Sequence, residues 1–399
     1  MKRTAGWLAA CLWLAWGGWA AGDEPPRPIP PIPPIPAPAS PVARIVSVTE
    51  SLAKMDVAAG RAFAWDLVQV LAKHEKALAE YKVEWPEALL ALKRGPRPEA
   101  VEPSDAEWQR IYDQTGPLLG VVYEMDPDEP PEQTCPAKLG VALLVAVAEK
   151  CPSVSGSVVA ADRLLKRCLP GAEPKDPPLE ELSPGVAARA YEAALGRAME
   201  MLAKGPSEDA ANALIIGVMA TGVGSYFFVD AVASGTPDAE AIRKRAGEWL
   251  AQLAAAQRAE DPEAIRHAVE MAIKTLEAVK AKAGDIVEVA VQTAAVEALA
   301  KKFLLAVNTE NRAQALECLT AKSGEALSKA ESLRARFTGR EDTKDVFYLG
   351  VRAVGPVGPG GRVWVPVCYR IVDTAGRGAF AAKEMSLVKT ETGCLLGEP

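Results

Sequence analysis

Histidine is scarce in this chain, and its scarcity excludes several kinds of active site. Only two of the 399 residues are histidine, His74 and His267, so a metal site built from several histidines is excluded. Neither histidine lies in a recognisable motif with a serine or cysteine, which argues against a Ser-His-Asp or Cys-His nucleophile. We therefore predict no catalytic residue, no cofactor and no metal ligand, and we favour a protein that is not an enzyme.

Clustered positive charge is also missing. The chain has 45 Lys and Arg against 52 Asp and Glu, a net charge of −7, and no run of basic residues interleaved with aromatic ones. Nucleic acids and anionic lipid headgroups both attract basic surfaces. We therefore predict no nucleic-acid partner.

Cysteines at metal-binding spacing are absent as well. None of the seven cysteines lies in a C-x-x-C pair, so a zinc site or a thioredoxin-like motif is not expected. Six remain outside the N-terminal leader, an even number that is compatible with disulfides in an exported chain. Two helices of similar length, at about 137–150 and 155–168, would bring Cys135 and Cys168 to the same end of a hairpin. We predict a disulfide between Cys135 and Cys168.

The N-terminus has the composition of an export signal. Lys2 and Arg3 precede an apolar run from Leu8 to Trp16, and small residues follow at 18–22. This order predicts a signal peptide over residues 1–22 and a bacterial-type exported protein of the periplasm or cell envelope. Residues 8–11 also have the form of a lipobox, so lipidation at Cys11 is an alternative. It is less favoured, because cleavage before Cys11 would leave a very short apolar segment.

A proline-rich segment follows at residues 23–43. Its repeated Pro-Pro-Ile triplets match the three-residue turn of polyproline II. We predict a stiff spacer. A ligand for an aromatic groove is the alternative interpretation.

Residues 45–283 are predicted to form a domain of antiparallel helices. The apolar positions recur at helical spacing, as in the stripe that runs from Leu67 to Tyr81. Ser104 with Glu107 forms a capping box, and Ser183 before a proline marks another helix start. Short turns between helices of about 20 residues favour antiparallel neighbours. A helical-repeat array is the competing architecture.

One uncharged stretch, residues 210–229, is long enough to span a bilayer. Small residues recur along it at every fourth position, which permits close contact between helices. Its polar residues and the lack of Lys/Arg asymmetry at its ends favour a buried central helix over a membrane span. Membrane association through 210–229 remains the alternative.

The C-terminal residues 284–399 change from helical to extended patterning. Helices are predicted at about 286–307, 310–320 and 323–335, and strands at 345–354, 363–372 and 378–389. Glycine- and proline-rich turns separate the strands. Helices followed by an antiparallel meander indicate an α+β domain. The fold class predicted for the whole chain is mostly α, with this α+β unit at the end.

The order of these elements, with the sequences of residues 300–307, 311–316 and 385–396, resembles the nuclear-transport-factor-2-like superfamily. The resemblance implies a long helix and smaller helices that pack on a curved sheet to form a cone. It also implies a pocket inside that cone, for which the candidate lining residues are Tyr348, Trp364, Tyr369, Phe380 and Glu384.

Three hypotheses for function follow. The first is an exported, non-enzymatic interaction or scaffold protein whose C-terminal module binds a protein partner or a small apolar ligand. The second is a small-molecule carrier or isomerase-like enzyme that uses the cone. The third is a membrane-integrated helical protein that inserts residues 210–229. Fold resemblance alone does not choose among them.

Overall fold

Helices make up most of the chain, and a four-stranded sheet lies at its C-terminal end. The computed structural model describes residues 40–123, 125, 135–169, 179, 181–219, 222–351, 363–390 and 393–397. The predicted signal peptide and nearly all of the predicted spacer lie outside the described residues. The mostly helical character and the antiparallel C-terminal sheet are confirmed.

Thirteen helices precede the C-terminal small helices and strands within the described residues. They are α1 (Pro41–Ala53), α2 (Ala58–Lys73), α3 (Glu75–Glu80), α4 (Glu87–Arg94), α5 (Asp105–Tyr123), α6 (Ala137–Lys150), α7 (Val154–Cys168), α8 (Pro184–Lys204), α9 (Glu208–Met219), α10 (Gly222–Ser234), α11 (Ala239–Ala256), α12 (Glu263–Ala281) and α13 (Ala283–Asn308).

The remaining elements form the α+β unit together with the C-terminal part of α13. They are α14 (Arg312–Glu317), α15 (Ala321–Ser328), α16 (Leu333–Thr338), β1 (Thr343–Val351), β2 (Val363–Asp373), β3 (Gly378–Thr390) and β4 (Gly393–Gly397). The strands follow one another in the order β1-β2-β3-β4, and each pairs antiparallel with the next. This is the meander that the sequence predicts.

Several helix ends form where the local sequence predicts them. Ser183 caps α8 by accepting the N–H of Val186, and a proline occupies the first turn. Glu107 accepts the backbone N–H of Ser104, which is one of the two bonds of the predicted capping box, and the Ser104 hydroxyl donates to the same carboxylate. The hairpin of α6 and α7 lies within one residue of its predicted bounds. Residues 40–43, at the end of the predicted spacer, belong to the start of α1, which Ser40 caps by accepting the N–H of Ala43.

The uncharged stretch at 210–229 is not one helix. The chain leaves α9 at Met219 and enters α10 at Gly222, which has a left-handed φ of 81°. The two helices are bent by 67° relative to each other. Buried residues of both helices, such as Leu214 and Tyr226, belong to the core of the helical region.

Two hydrophobic cores lie along the chain, and α13 contributes to both. The first core runs from Val42 to Ala290, and the second begins at Val296. The domain boundary predicted at 283/284 coincides with the start of α13, whereas the cores divide within this helix, between Ala290 and Val296. One continuous helix therefore connects the helical region to the α+β unit.

Candidate functional site

Asp209 holds the start of α7 from a distant helix. Its carboxylate accepts the backbone N–H groups of Val154 at 2.7 Å and Ser155 at 2.9 Å, and the Ser153 hydroxyl at 3.1 Å. Asp209 lies in the first turn of α9 and is only 1 % exposed. The N–H groups at a helix start have no intrahelical partner and carry partial positive charge. A buried carboxylate satisfies both needs.

Arg197 binds the other end of the same turn. Its guanidinium donates to the carbonyl of Cys151 at 2.8 Å and to that of Glu149 at 3.4 Å, where α6 ends. It also donates to the Ser157 hydroxyl at 3.2 Å. Cations are favoured at helix C-termini, where carbonyl groups remain free. Arg197 on α8 and Asp209 on α9 thus fix the position of the α6–α7 turn.

A cavity of about 360 Å³ opens beside this turn. Its wall combines the loop after α4, the starts of α5 and α9, the end of α6 and the C-terminal half of α8. The apolar and neutral residues that line it are Ala59, Ala100, Val101, Pro103, Trp108, Pro152, Met201 and Ser207. Cavities of this size hold small organic ligands or the end of a peptide.

Charged side chains of both signs line the cavity. Arg97, Lys150, Arg197 and Lys204 line it together with Glu102, Glu200 and Asp209. Arg97 forms an ion pair with Asp66 at 2.7 Å. Lys150, Arg197 and Lys204 form no ion pair within the described part of the chain. Asp209 accepts from the start of α7 and Arg197 donates to the end of α6. Lys150 and Lys204 therefore remain, together with Glu102 and Glu200, two carboxylates that also form no ion pair with a described residue.

Trp108 adds an unused hydrogen-bond donor to the same wall. The residue is 7 % exposed, and its Nε1–H has no hydrogen-bond partner among the described residues. A buried indole N–H normally finds an acceptor. The indole therefore offers a ligand both an apolar face and one donor.

Only some of the residues predicted to line the cone pocket lie on the same face of the sheet. Tyr348 and Tyr369 are directly opposite each other on β1 and β2 and share the sheet face that packs on the second core. Glu384 is exposed and, by strand alternation, lies on the other face. Trp364 pairs with Ser386 and Phe380 pairs with Arg370, but the side chains of Trp364 and Phe380 lie outside the described residues.

Aromatic rings fill the space between α13, α16 and this sheet face. The Phe337 ring lies 5.5 Å from that of Phe303 and 4.9 Å from that of Tyr369, measured between centroids. The Lys383 ammonium lies 4.9 Å above the Phe337 ring and donates to its carbonyl oxygen. Phe347 is instead 46 % exposed. The rings occupy the space where a ligand of the cone would be expected.

A carboxylate on α13 faces this region and was not predicted from sequence. Burial raises the pKa of Glu297 above its usual value. Burial and the nearby Glu297 charge also raise the pKa of Tyr348, whose hydroxyl has no hydrogen-bond partner among the described residues. No hydrogen bond joins the two groups among the described residues, so Glu297 acts on Tyr348 through its charge.

The predicted disulfide is not present in the structure. Cys135 and Cys168 lie at the same end of the α6–α7 hairpin, as predicted, but both are free thiols. The Cys135 Sγ donates to the carbonyl of Pro136 at 3.7 Å. The negative charge of Glu297 contributes to the raised pKa of the Cys168 thiol. Burial raises the pKa of each thiol to about 12.

The described residues contain neither a metal-binding cluster nor a single helix that could span a membrane. Among them, no group of three or more His, Cys, Asp or Glu residues has the arrangement of a metal site. No single helix there is long and apolar enough to cross a membrane, although the bent pair of α9 and α10 passes that test by combined length and composition.

The comparisons with known proteins found no match: no family model, no curated protein and no solved structure is similar to this chain.

Proposed function

We propose that this chain is an exported, non-enzymatic binding protein whose helical region holds an anionic, partly apolar ligand in the cavity beside the α6–α7 turn. The ligand is a small organic acid or the acidic end of a partner peptide. The observation that carries the proposal is the pair of exposed lysines, Lys150 and Lys204, that line the cavity without an ion-pair partner among the described residues, on the same wall as the unused Trp108 N–H donor.

Two exposed lysines are available to an anionic group at this position. Lys150 and Lys204 line the cavity without an ion-pair partner among the described residues, and the carboxylates of Glu102 and Glu200 on the same wall restrict an anion to the side of the lysines. Each unpaired cation at about 4 Å from a ligand carboxylate stabilises it by roughly 1 to 4 kcal/mol, depending on how much water remains. Charge-assisted hydrogen bonds from an ammonium group are stronger than neutral ones.

The apolar residues of the cavity wall favour a ligand that has an apolar body as well as a negative charge. Trp108, Val101 and Met201 offer an aromatic face and two aliphatic surfaces, and Val101 is 64 % exposed. Covering such surface stabilises a complex by about 25 cal/mol for each Å² removed from water. A hydrophilic inorganic anion would gain none of this, so the preferred ligand has an apolar body.

The predicted export signal and spacer agree with a binding role outside the cytoplasm. A proline-rich spacer would hold the helical region away from an anchoring surface. We further propose that α13–α16 and the sheet form a nuclear-transport-factor-2-like module. The long helix, the short helices and the antiparallel meander are in the expected order. Because rings occupy its interior, this module favours contact with a partner over a deep ligand pocket.

The experiment uses anilinonaphthalene sulfonate, a fluorescent probe that is both anionic and apolar. The full chain should bind the probe, and the double variant Lys150→Glu/Lys204→Glu should bind it at least about 10-fold more weakly. Both lysines are exposed, so the variant should fold normally. The control is Lys73→Glu, another exposed lysine in the last turn of a helix, which should leave the affinity unchanged.

The uncharged analogue phenylnaphthylamine separates charge from hydrophobicity. It should bind more weakly than the sulfonate, and the double variant should not change its affinity. If the sulfonate binds the double variant and the parent chain equally, or if Lys73→Glu weakens it as much, the proposed cavity function is wrong.

A second candidate function rests on Glu297 and Tyr348. The Tyr348 hydroxyl, which is buried without a hydrogen-bond partner among the described residues, could donate to the carbonyl group of an apolar ligand in the C-terminal module, within the field of the Glu297 carboxylate. Native mass spectrometry of the full chain should then detect an apolar ligand, and Glu297→Gln should change its retention. A chain that retains no ligand, before or after incubation with apolar ketones, would exclude this candidate.

A further inference from the structure

The long helix α13 exposes an unusual amount of apolar surface. Within the described residues, Leu305 is 57 % exposed, Val291 50 % and Val289 43 %. Contiguous exposed apolar surface marks interaction sites in soluble proteins. Val291 and Leu305 share one side of α13, whereas Val289 lies on nearly the opposite side. Only one stripe of α13 is buried, against the two cores.

Val291 and Leu305 belong to one stripe on the exposed side of the helix. Residues at positions 284, 291, 298 and 305 recur every seven residues, so they lie on nearly the same face. Ala294 and Ala295 lie between them and are also exposed. The stripe therefore has large side chains toward its two ends and alanine in the middle, over about 33 Å of helix.

The charged residues beside the stripe are negative near its N-terminal end and positive near its C-terminal end. Glu288 lies in the N-terminal third, whereas Lys301 and Lys302 lie in the C-terminal third. Glu288 accepts only the Gln292 amide, at 3.2 Å, and Lys301 forms no ion pair with a described residue. Lys302 pairs with Glu317 at 3.0 Å.

We infer that two copies of this chain associate through α13, packed antiparallel about a two-fold axis between Ala294 and Ala295. In this register Ala294 of one copy faces Ala295 of the other, and Val291 faces Ala298. Leu305 then faces Gly284, and Glu288 faces Lys301. Each large apolar side chain of the stripe meets a small one, and the Glu288 carboxylate meets the Lys301 ammonium.

The pairing of large with small residues along the stripe indicates that a second copy of the chain covers it. A two-fold interface must be complementary to itself, so a large residue at one position requires a small one at the symmetry-related position. The stripe meets this condition at each apolar pair along its length. Antiparallel packing also sets the two helix dipoles in opposite directions, which is favourable at the termini.

The first test places a charge on the proposed axis. Ala295→Arg brings two arginines together in the dimer but leaves an exposed side chain in the monomer. Sedimentation velocity of the full chain should give a dimer, and Ala295→Arg should weaken dimerisation at least about 10-fold. The control is Val289→Arg, which lies about 160° around the helix from Val291 and is also exposed. It should leave the dimer intact.

The second test is a charge exchange. Glu288→Lys and Lys301→Glu should each weaken the dimer, because each creates like charges across the interface. The double variant should restore it, a result that requires these residues to face each other in antiparallel copies. A full chain that stays monomeric at high micromolar concentration, or a double variant weaker than both single ones, would overturn the inference.

A chain that lacks residues 1–39 tests whether the N-terminal segment, instead of a second copy, covers the stripe on α13. If dimers form only after residues 1–39 are removed, the N-terminal segment covers the stripe, and the inference is wrong. If the full chain dimerises and Ala295→Arg has no effect, the interface lies elsewhere, which also contradicts it.

Discussion

Arg197 and Asp209 hold opposite ends of one three-residue turn. The guanidinium binds the last carbonyls of α6, and the carboxylate binds the first N–H groups of α7. The two helices that carry these residues, α8 and α9, therefore determine where the α6–α7 hairpin lies. The cavity proposed to bind a ligand is built on the same two residues.

Asp209→Ala should destabilise the fold strongly. The change leaves two backbone N–H groups and the Ser153 hydroxyl buried without their acceptor. Losing the partner of buried polar groups costs about 3 kcal/mol of unfolding free energy. Urea unfolding followed by circular dichroism measures the loss. The matched control is Asp238→Ala, which removes the exposed cap of α11 and should cost only about 1 kcal/mol.

A double-mutant cycle tests whether the two residues act together. Arg197→Met and Asp209→Ala should be less than additive, because once either residue is lost the turn is already displaced from the other. We expect a coupling free energy of at least about 0.5 kcal/mol. Additive effects would mean that the turn keeps its position when only one of the two residues is present.

Phe337→Ala should unfold or loosen the α+β unit. Its ring packs between Phe303 and Tyr369, so truncation leaves a cavity and costs about 3 to 5 kcal/mol. Phe347→Ala is the control, because that ring is 46 % exposed on β1 and should cost less than about 1 kcal/mol. Comparable losses for the two variants would show that the interior is not filled by Phe337.

The buried thiols should be unreactive in the folded protein. Burial raises the pKa of Cys135, Cys151 and Cys168 to about 12, so at about pH 9 only about one thiol in a thousand is ionised instead of about half. Thiol titration should be slow in buffer and complete in denaturant. If the denatured protein has two fewer free thiols than cysteines, and peptide mapping finds Cys135 joined to Cys168, the predicted disulfide is established instead.

The same thiols make stability depend on alkaline pH. Each group ionises more readily in the unfolded chain, near pH 9, than in the folded one, near pH 12. Their contribution to stability is therefore complete below about pH 9 and is lost as the pH rises toward about 12. Each thiol should lower the unfolding free energy by about 1.4 kcal/mol per pH unit in that window. Cys151→Ser should respond less steeply than the parent chain.

Export predicts a shortened N-terminus. Expressed in a bacterial host with its leader, the chain should be recovered from the periplasm starting near residue 23, as measured by intact mass. Alkaline carbonate should extract it from membranes, because α9 and α10 belong to the helical core. Recovery from the cytoplasm with residue 1 intact would contradict export, and resistance to carbonate would favour the membrane hypothesis.

Local sequence predicted the helices and strands well where the chain carries clear end signals. The bounds of α6 and α7 were predicted within one residue because Pro136 and Ser153 mark their starts. The stretch at 210–229 was wrongly predicted to be one helix because no charge or proline interrupts it. The left-handed Gly222 separates α9 from α10, and glycine within an apolar run is only a weak signal.

The candidate site could not be predicted in the same way. Asp209 lies 55 residues from Val154 in sequence, and Arg197 lies 46 residues from Cys151. No local pattern connects such pairs, because tertiary packing of α8 and α9 brings them together. The cluster of small polar residues at 151–157 was the one available signal that this turn needs distant partners.

The shared helix α13 also limits how the protein can be divided. Cutting before Ala283 would remove Ala283 and Ala290 from the first core, and cutting near Val296 would break the helix itself. Neither region therefore ends at a loop where the chain could be cut, or joined to another protein, without the loss of core residues. Insertions and fusions should therefore be tolerated at the chain ends far better than at the junction between the two cores.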